Sequence, residues 1–346
     1  MENDFEYKIT IGIPVYNVEQ YIKKCFDSIF AQDIDGIEIL VVDDCSTDNS
    51  IQIVKELCSS NNGKYSIHII SHVHNKGVAE ARNTILKNAK GKYLFFLDPD
   101  DYIEVSSLTL LYEEAEKYQA EVTYGSIAIV KDGEIKPFKK YPLLHFSGDG
   151  TFASYVYNSL NEKIFTSSIN TLYLMSFIRN NHISFPEARI GEDYLFREAF
   201  LPKVSKAALR PEITYYYVMR PNSLMQYHYR DTIDIKEGLY KLWFCQQLKD
   251  TCTGLEKTDY YAGKCVQIMK SVLYDICGIQ KHLHQFTGNI PQEELSKALK
   301  HPAKLNQILR FHQFRKTNIL FYIMGILPTS LSIYIITFIG KKKGWI

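Results

Sequence analysis

The chain has 346 residues, 46% of them hydrophobic, with 40 Lys or Arg against 39 Asp or Glu and a formal net charge of +1. That is enough apolar material for one main domain with an appendage, and the near-neutral charge argues against bulk nucleic-acid binding. Seven cysteines without a C-x-x-C pair suggest neither a zinc site nor a disulfide framework, and the polar start Met1-Glu2-Asn3-Asp4 is no signal peptide, so a reduced, cytoplasmic setting is expected.

The first hundred residues alternate two periodicities. Lys8 to Ile13 reads as a strand and Val18 to Ala31 as a helix; Ile37 to Val42 and Asp48 to Cys58 repeat the pair, as do Tyr65 to Ser71 and Val78 to Ala89. The apolar run from Tyr93 to Leu97 has the pattern of a strand buried on both faces. Four such units imply an α/β, Rossmann-like fold around a doubly wound parallel sheet, in which ligands bind beyond the carboxyl ends of the strands.

Those ends carry distinctive side chains. Pro14 lacks an amide hydrogen and is expected to end the first strand, leaving the Tyr16 ring free to stack on a base. Asp43 or Asp44, closing the second strand, can accept the imide N–H of a uracil, while Ser46 and Asp48 read as caps opening the next helix. Gly77 permits a tight loop before the third helix. Arg82, on that helix, faces the same edge as Asp43 and suits a phosphate or a base-binding carboxylate, the ordinary alternative being an exposed helix-face arginine. The fourth strand stops on Asp98-Pro99-Asp100-Asp101, where crowded carboxylates call for a cation; hard oxygen donors suit Mg2+ or Mn2+, particularly one carrying the phosphates of a nucleotide.

In order and spacing, Pro14-Val15-Tyr16-Asn17, Val42 to Asp48, Asn75-Lys76-Gly77 with Ala81-Arg82-Asn83, and Phe96 to Asp101 resemble the family 2 glycosyltransferases of the GT-A fold. The resemblance covers about the first 110 residues. It implies that Pro14, Tyr16 and Asp43 or Asp44 hold the nucleobase, that Arg82 supports that site, and that Asp98 and Asp100 form the metal and ribose-diphosphate motif. Further on, Gly191-Glu192-Asp193-Tyr194 resembles the family's acidic pair at the start of an acceptor-side helix, whose second acid is taken as the catalytic base. In-line displacement at a sugar needs a proton acceptor on the face opposite the leaving diphosphate, and a carboxylate at a helix start is pre-oriented for that role. Tyr215 to Leu224 resembles the strand and loop that follow, from which Arg220 and Ser223 would reach diphosphate.

The resemblance therefore implies metal-dependent, inverting transfer of a sugar from a nucleotide-sugar, UDP by family habit, to a hydroxyl of a glycan or lipid-linked glycan in surface-polysaccharide assembly. The resemblance and the residue pattern together suggest a division into a nucleotide-sugar half (1–110), an acceptor half (111–229), a helical region (230–315) and a distinct tail (316–346). Val122 to Phe138 reads as a hairpin, followed by a helix-rich stretch to about Leu201 and a mainly helical region after 231. His72 and His74, and likewise His282 and His284, diverge rather than pair, and His228 reads as packing rather than as a ligand.

In the tail, Ile319 to Ile339 carries no charge and is flanked by Arg315-Lys316 and Lys341-Lys342-Lys343. Its length would permit one span, yet Pro328 breaks it, so two short helices at the inner face of the cytoplasmic membrane are expected. A buried helical hairpin or a homo-oligomer contact is the competing use. Two other functions fit the residues less well: a non-catalytic nucleotide or glycan scaffold, which should lose carboxylates that are all present here, and a sugar-1-phosphate nucleotidyltransferase, which needs a Gly-rich basic loop where this chain has Pro14-Val15-Tyr16-Asn17.

Overall fold

The structure, a computed structural model, describes residues 5–59, 63–159, 163–188, 190–220 and 232–344. The chain divides into two compact units, one made of residues 1–152 and 164–223, the other of 153–163 and 224–346.

The first unit follows the alternation in the sequence: β1 (Tyr7–Val15), α1 (Ile22–Phe30), β2 (Ile37–Asp43), α2 (Ser50–Ser59), β3 (Ser66–Ser71), α3 (Val78–Asn88) and β4 (Gly91–Phe96). Then come β5 (Tyr102–Ile103), α4 (Ser107–Tyr118), β6 (Val122–Lys131), β7 (Glu134–Lys139), β8 (Leu144–Ser147), the start of α5 (Thr151–Tyr157), β9 (Thr171–Leu174), α6 (Met175–Asn180), α7 (Glu192–Phe200) and β10 (Lys206–Val218). The sheet has the order β3-β2-β1-β4-β9-β6-β10-β5, with β7 added to β6 and β8 to β10. β3, β2, β1 and β4 are parallel, as the doubly wound reading requires. On β1, Ile9, Ile11, Ile13 and Val15 share a core with Phe26 of α1. On its other face, a Cβ at Gly12 would meet Ile85 of α3 at 2.4 Å, so only glycine lets that helix lie so close.

Three local expectations are corrected. Pro14 does not end β1, which pairs with β2 through Val15. Its nitrogen faces the β4 side, where the ladder has already stopped at Gly12 opposite Phe96, so the missing N–H breaks nothing. α2 starts at Ser50 rather than Asp48, because the Asp48 carboxylate caps from outside, accepting from the Ser50 amide at 2.9 Å. The helix-rich stretch before Leu201 contains two strands. Of these, β9 inserts antiparallel between β4 and β6, a long-range pairing invisible to local periodicity.

The second unit contains most of α5 with α8 (Ile235–Asp250), α9 (Tyr261–Lys281), α10 (Gln292–Leu299), α11 (Leu305–Ile308), α12 (Arg315–Ile326) and α13 (Thr329–Lys343). α9 is apolar around most of its circumference, Met269, Val272, Ile276 and Cys277 being among its fully buried residues. α12 and α13 meet at Leu327-Pro328, and no helix among the described residues is long and apolar enough to cross a membrane.

Candidate active site

Two loops beyond β1 and β2 are tied into one surface. Asn17 Oδ1 accepts from the Thr47 amide at 2.8 Å, Ser50 Oγ from the Val18 amide at 2.8 Å, and Asp48 from the Glu19 amide at 3.0 Å. Tyr16 projects from this surface with 47% of its area exposed. The adjacent acids at the end of β2 are used differently. Asp44 accepts from the amides of Lys76 and Gly77 at 2.8 and 2.7 Å and from the ring of buried His72 at 2.7 Å, so both of its oxygens clamp the β3–α3 loop. Gly77, at φ 89°, is where that loop needs a glycine. Asp43 accepts from the Ser46 amide at 2.9 Å through Oδ1, and its Oδ2 has no hydrogen-bond partner among the described residues.

Arg82 is not on an exposed face. It lies on the buried side of α3 with Ile85 and Leu86 and is 3% exposed. Its hydrogen bonds go neither to Asp43 nor to Asp44: Nη2 donates to Asp98 at 2.9 Å, and Nη1 donates to Glu192 at 2.9 Å and Asp193 at 3.0 Å. Burial opposes a charged guanidinium there, but Asp193, Asp98 and Glu192 together raise its pKa further. Its Nε is buried without a hydrogen-bond partner among the described residues.

Aromatic packing brings the two acidic segments to this one arginine. Phe96, two residues before Asp98, lies 6.5 Å from Phe196, three residues after Asp193, and Phe185 stacks on Phe196 at 4.0 Å with its ring 5.6 Å from the Arg82 guanidinium carbon. α7 starts at Glu192, directly after Gly191 at φ 82°, so both acids occupy its first turn. Asp193 also accepts from Ser167 Oγ at 3.0 Å. Its side chain is 22% exposed against 11% for Glu192. Burial, then the neighbouring Asp193, push Glu192 up to about 7 against the opposing pull of Arg82.

The carboxylates at 98 to 101 have separate partners. Asp100 pairs with Arg220 at 2.6 Å, whose guanidinium carbon lies 5.2 Å from the Tyr21 ring centroid. Asp101 is structural: it accepts from Tyr215 Oη at 2.7 Å and from the Val218 amide at 2.8 Å, fastening the loop to β10. The Asp98 amide in turn donates to Tyr215 Oη at 3.2 Å. Burial raises the pKa of Asp98 despite Arg82, with Asp100 and Asp193 adding to the rise; burial followed by Asp100 and Asp98 does the same to Asp101. Among the described residues no group of three or more His, Cys, Asp or Glu is placed to hold a metal. Asp98 and Asp100 nevertheless each retain one oxygen outside their arginine pairs, the donor set of a cation that takes one or two carboxylates and completes its shell from phosphate and water.

Ser223 and His228 lie outside the described residues. Ser167 and Tyr215 join the candidate site only through their contacts with Asp193 and with Asp98 and Asp101, which nothing in the sequence marks. Ser167 sits in an unremarkable Thr-Ser-Ser stretch, and Tyr215 in the run that resembles the family's following strand and loop, where only Arg220 and Ser223 are expected to reach diphosphate.

Residues 10–179 match the family profile described as "Glycosyl transferase family 2". The chain is 34% identical over 232 residues to glycosyltransferase GlyA of Streptococcus pneumoniae, covering 63% of this chain and 31% of that protein. It is 31% identical over 218 residues to poly(ribitol-phosphate) beta-glucosyltransferase of Bacillus spizizenii, covering 62% and 32%. The matched part is thus about a third of the length of these relatives. Among solved structures, residues 1–349 of S. aureus TarS in complex with UDP-GlcNAc share the fold at a TM-score of 0.67 and 21% identity, over 92% of this chain and 90% of that one. The motif order, the mostly parallel sheet and these matches together show that the chain belongs to glycosyl transferase family 2, with a GT-A fold.

Proposed function

We propose that this chain transfers a sugar, with inversion, from a nucleotide-sugar to a hydroxyl of a glycan or lipid-linked glycan in the making of a surface polysaccharide. The observation that carries the reading is the sharing of Arg82 between Asp98, on the expected donor side, and Asp193, on the expected acceptor side. Donor and acceptor carboxylates held by one buried guanidinium define a place where a sugar can sit between leaving group and proton acceptor.

In this reading the Tyr16 ring stacks on the base and Asp43 Oδ2 accepts its imide N–H, while Asp44 only shapes the loop. Pro14 keeps the strand end free of a competing donor. Asp98 and Asp100 would hold Mg2+ or Mn2+, which when bound neutralises the departing diphosphate. Arg220, beside Asp100, adds positive charge on the same side. Asp193 takes the acceptor proton, with Arg82 and Ser167 fixing its orientation. A UDP donor is supported by the UDP-GlcNAc and UDP held by TarS, and a polymer acceptor by the poly(ribitol-phosphate) in the name of the Bacillus relative. All seven cysteines are free, which supports a cytoplasmic setting.

The test is a screen of sugar nucleotides for release of nucleoside diphosphate, with lipid extract and oligosaccharides as acceptors. It is paired with calorimetry of UDP and GDP in Mn2+ and in chelator. Metal-dependent binding of one nucleotide that Asp100→Ala abolishes is expected. Equal affinity in chelator would remove the metal from the reading, and no binding of any nucleotide would overturn the reading itself.

A further inference from the structure

The end of the chain has a charge and surface pattern that the transfer site does not use. Residues 295–346 contain nine Lys or Arg and no Asp or Glu. Because the whole chain is only +1, everything before residue 295 carries a net charge of −8. The excess of positive over negative charge is thus confined to the last 52 residues.

One face of α12 and α13 is packed within the second unit. Phe321, Met324 and Ile336 are buried, Asn318 Nδ2 donates to the Ala262 carbonyl of α9 at 3.1 Å, and a Cβ at Gly325 would meet the Leu299 carbonyl at 2.6 Å. The opposite face is apolar and open. Leu320, Ile323, Ile326, Leu331, Tyr334 and Phe338 are all exposed, Ile326 at 66% and Tyr334 at 71%. A helix that is apolar all round normally has its whole circumference covered, and among the described residues nothing covers this side of the two helices. Basic groups border that open face: Lys316 at the start of α12 and Lys341, Lys342 and Lys343 at the end of α13 are exposed, and the Lys342 ammonium lies 4.7 Å from the Phe338 ring centroid. Arg310 and Arg315, with Leu309, Phe311 and His312, line a cavity of about 450 Å³ at the start of α12.

We propose that the outward faces of α12 and α13 seat the chain on an anionic lipid bilayer, both helices lying in the interface plane. Twelve and fifteen residues make helices of about 18 and 22 Å, short of a hydrocarbon core of about 30 Å, so they lie on the membrane rather than span it. Exposed Leu, Ile, Tyr and Phe enter the headgroup boundary while the lysines and arginines meet phosphate. Charge selects this occupant over a second copy: two such faces would bring like-charged rims together, whereas an anionic surface complements them. The inference is independent of the donor and base assignments.

The full chain is sedimented with phosphatidylcholine vesicles and with vesicles containing roughly one-third phosphatidylglycerol. Binding to the second only, weakening as salt is added, is expected. Replacing Lys341, Lys342 and Lys343 together by Gln should weaken binding on the order of 100-fold, at about fivefold per lysine. Replacing Ile326, Tyr334 and Phe338 by Asn should abolish it without lowering the melting temperature, since these side chains are exposed. A folded wild-type chain that ignores both vesicle types overturns the proposal, as does lysine-triple binding equal to wild type. Self-association in lipid-free buffer that the Asn variant abolishes would give the face to a second copy instead.

Discussion

Asp98 and Asp193 are hydrogen-bonded to the same guanidinium, at 2.9 and 3.0 Å, although one follows β4 and the other opens α7. The shared arginine sets the spacing between the two carboxylates, and most of what can be tested about the site depends on it.

Arg82→Ala leaves Asp98, Glu192 and Asp193 together without a counter-charge. Breaking a buried ionic cluster on one side costs about 3–5 kcal/mol, so the melting temperature should fall by roughly 10 °C. Arg82→Lys keeps the charge but cannot bridge three carboxylates in a plane, and should recover most of the stability with little of the turnover. Differential scanning calorimetry beside donor turnover distinguishes the two effects; an alanine variant that melts with the wild type would show that the cluster does not need the arginine.

Asp193→Asn should bind donor normally and turn over about 100- to 10,000-fold more slowly, because the amide keeps the contacts with Arg82 and Ser167 but cannot take a proton. Glu192→Gln, more deeply placed, should lose less. The measurement is kcat on a working acceptor together with nucleotide affinity, and loss of affinity in place of kcat would move Asp193 to the donor side.

Glu192 also makes a pH prediction. Its folded carboxyl is pushed from 4.5 up to about 7, so between those values the folded state holds a proton that the unfolded state has released. Stability therefore falls as pH rises through this window, and the penalty is complete above it. Glu192→Gln should be more stable than wild type by roughly 1–3 kcal/mol near pH 8 and lose that advantage near pH 4. A constant difference across the range in denaturant titrations would contradict the burial of this acid.

The two acids ending β2 should separate cleanly. Asp43→Asn should weaken UDP binding by about tenfold or more, with little change in melting, since only its free Oδ2 is asked to meet the base. Asp44→Ala removes the acceptor for the Lys76 and Gly77 amides and should lower the melting temperature first. Calorimetry of UDP with both variants checks this, and the reverse pattern would exchange their roles.

Local pattern was sufficient for the alternation of strands and helices up to Phe96, because buried parallel strands and amphipathic helices have different periods over a few residues. It was also sufficient for the break of the tail at Pro328, since proline chemistry acts on its immediate neighbours. The candidate residues Tyr16, Asp43, Asp98, Asp100 and Asp193 could be picked out by position at strand ends and a helix start. Their partners could not. That Arg82 faces inward to three carboxylates, that Asp44 clamps a loop while Asp43 keeps an oxygen free, and that Tyr215 and Ser167 belong to the site all depend on contacts between segments far apart in the chain. The insertion of β9 between β4 and β6 and the stacking of Phe185 on Phe196 create those contacts, and long-range pairing and ring packing leave no periodic trace in the sequence. The tail follows the same division: its basic flanks and missing acids are plain in the residues, but only packing against α9 and α10 decides which apolar side chains are covered and which remain open.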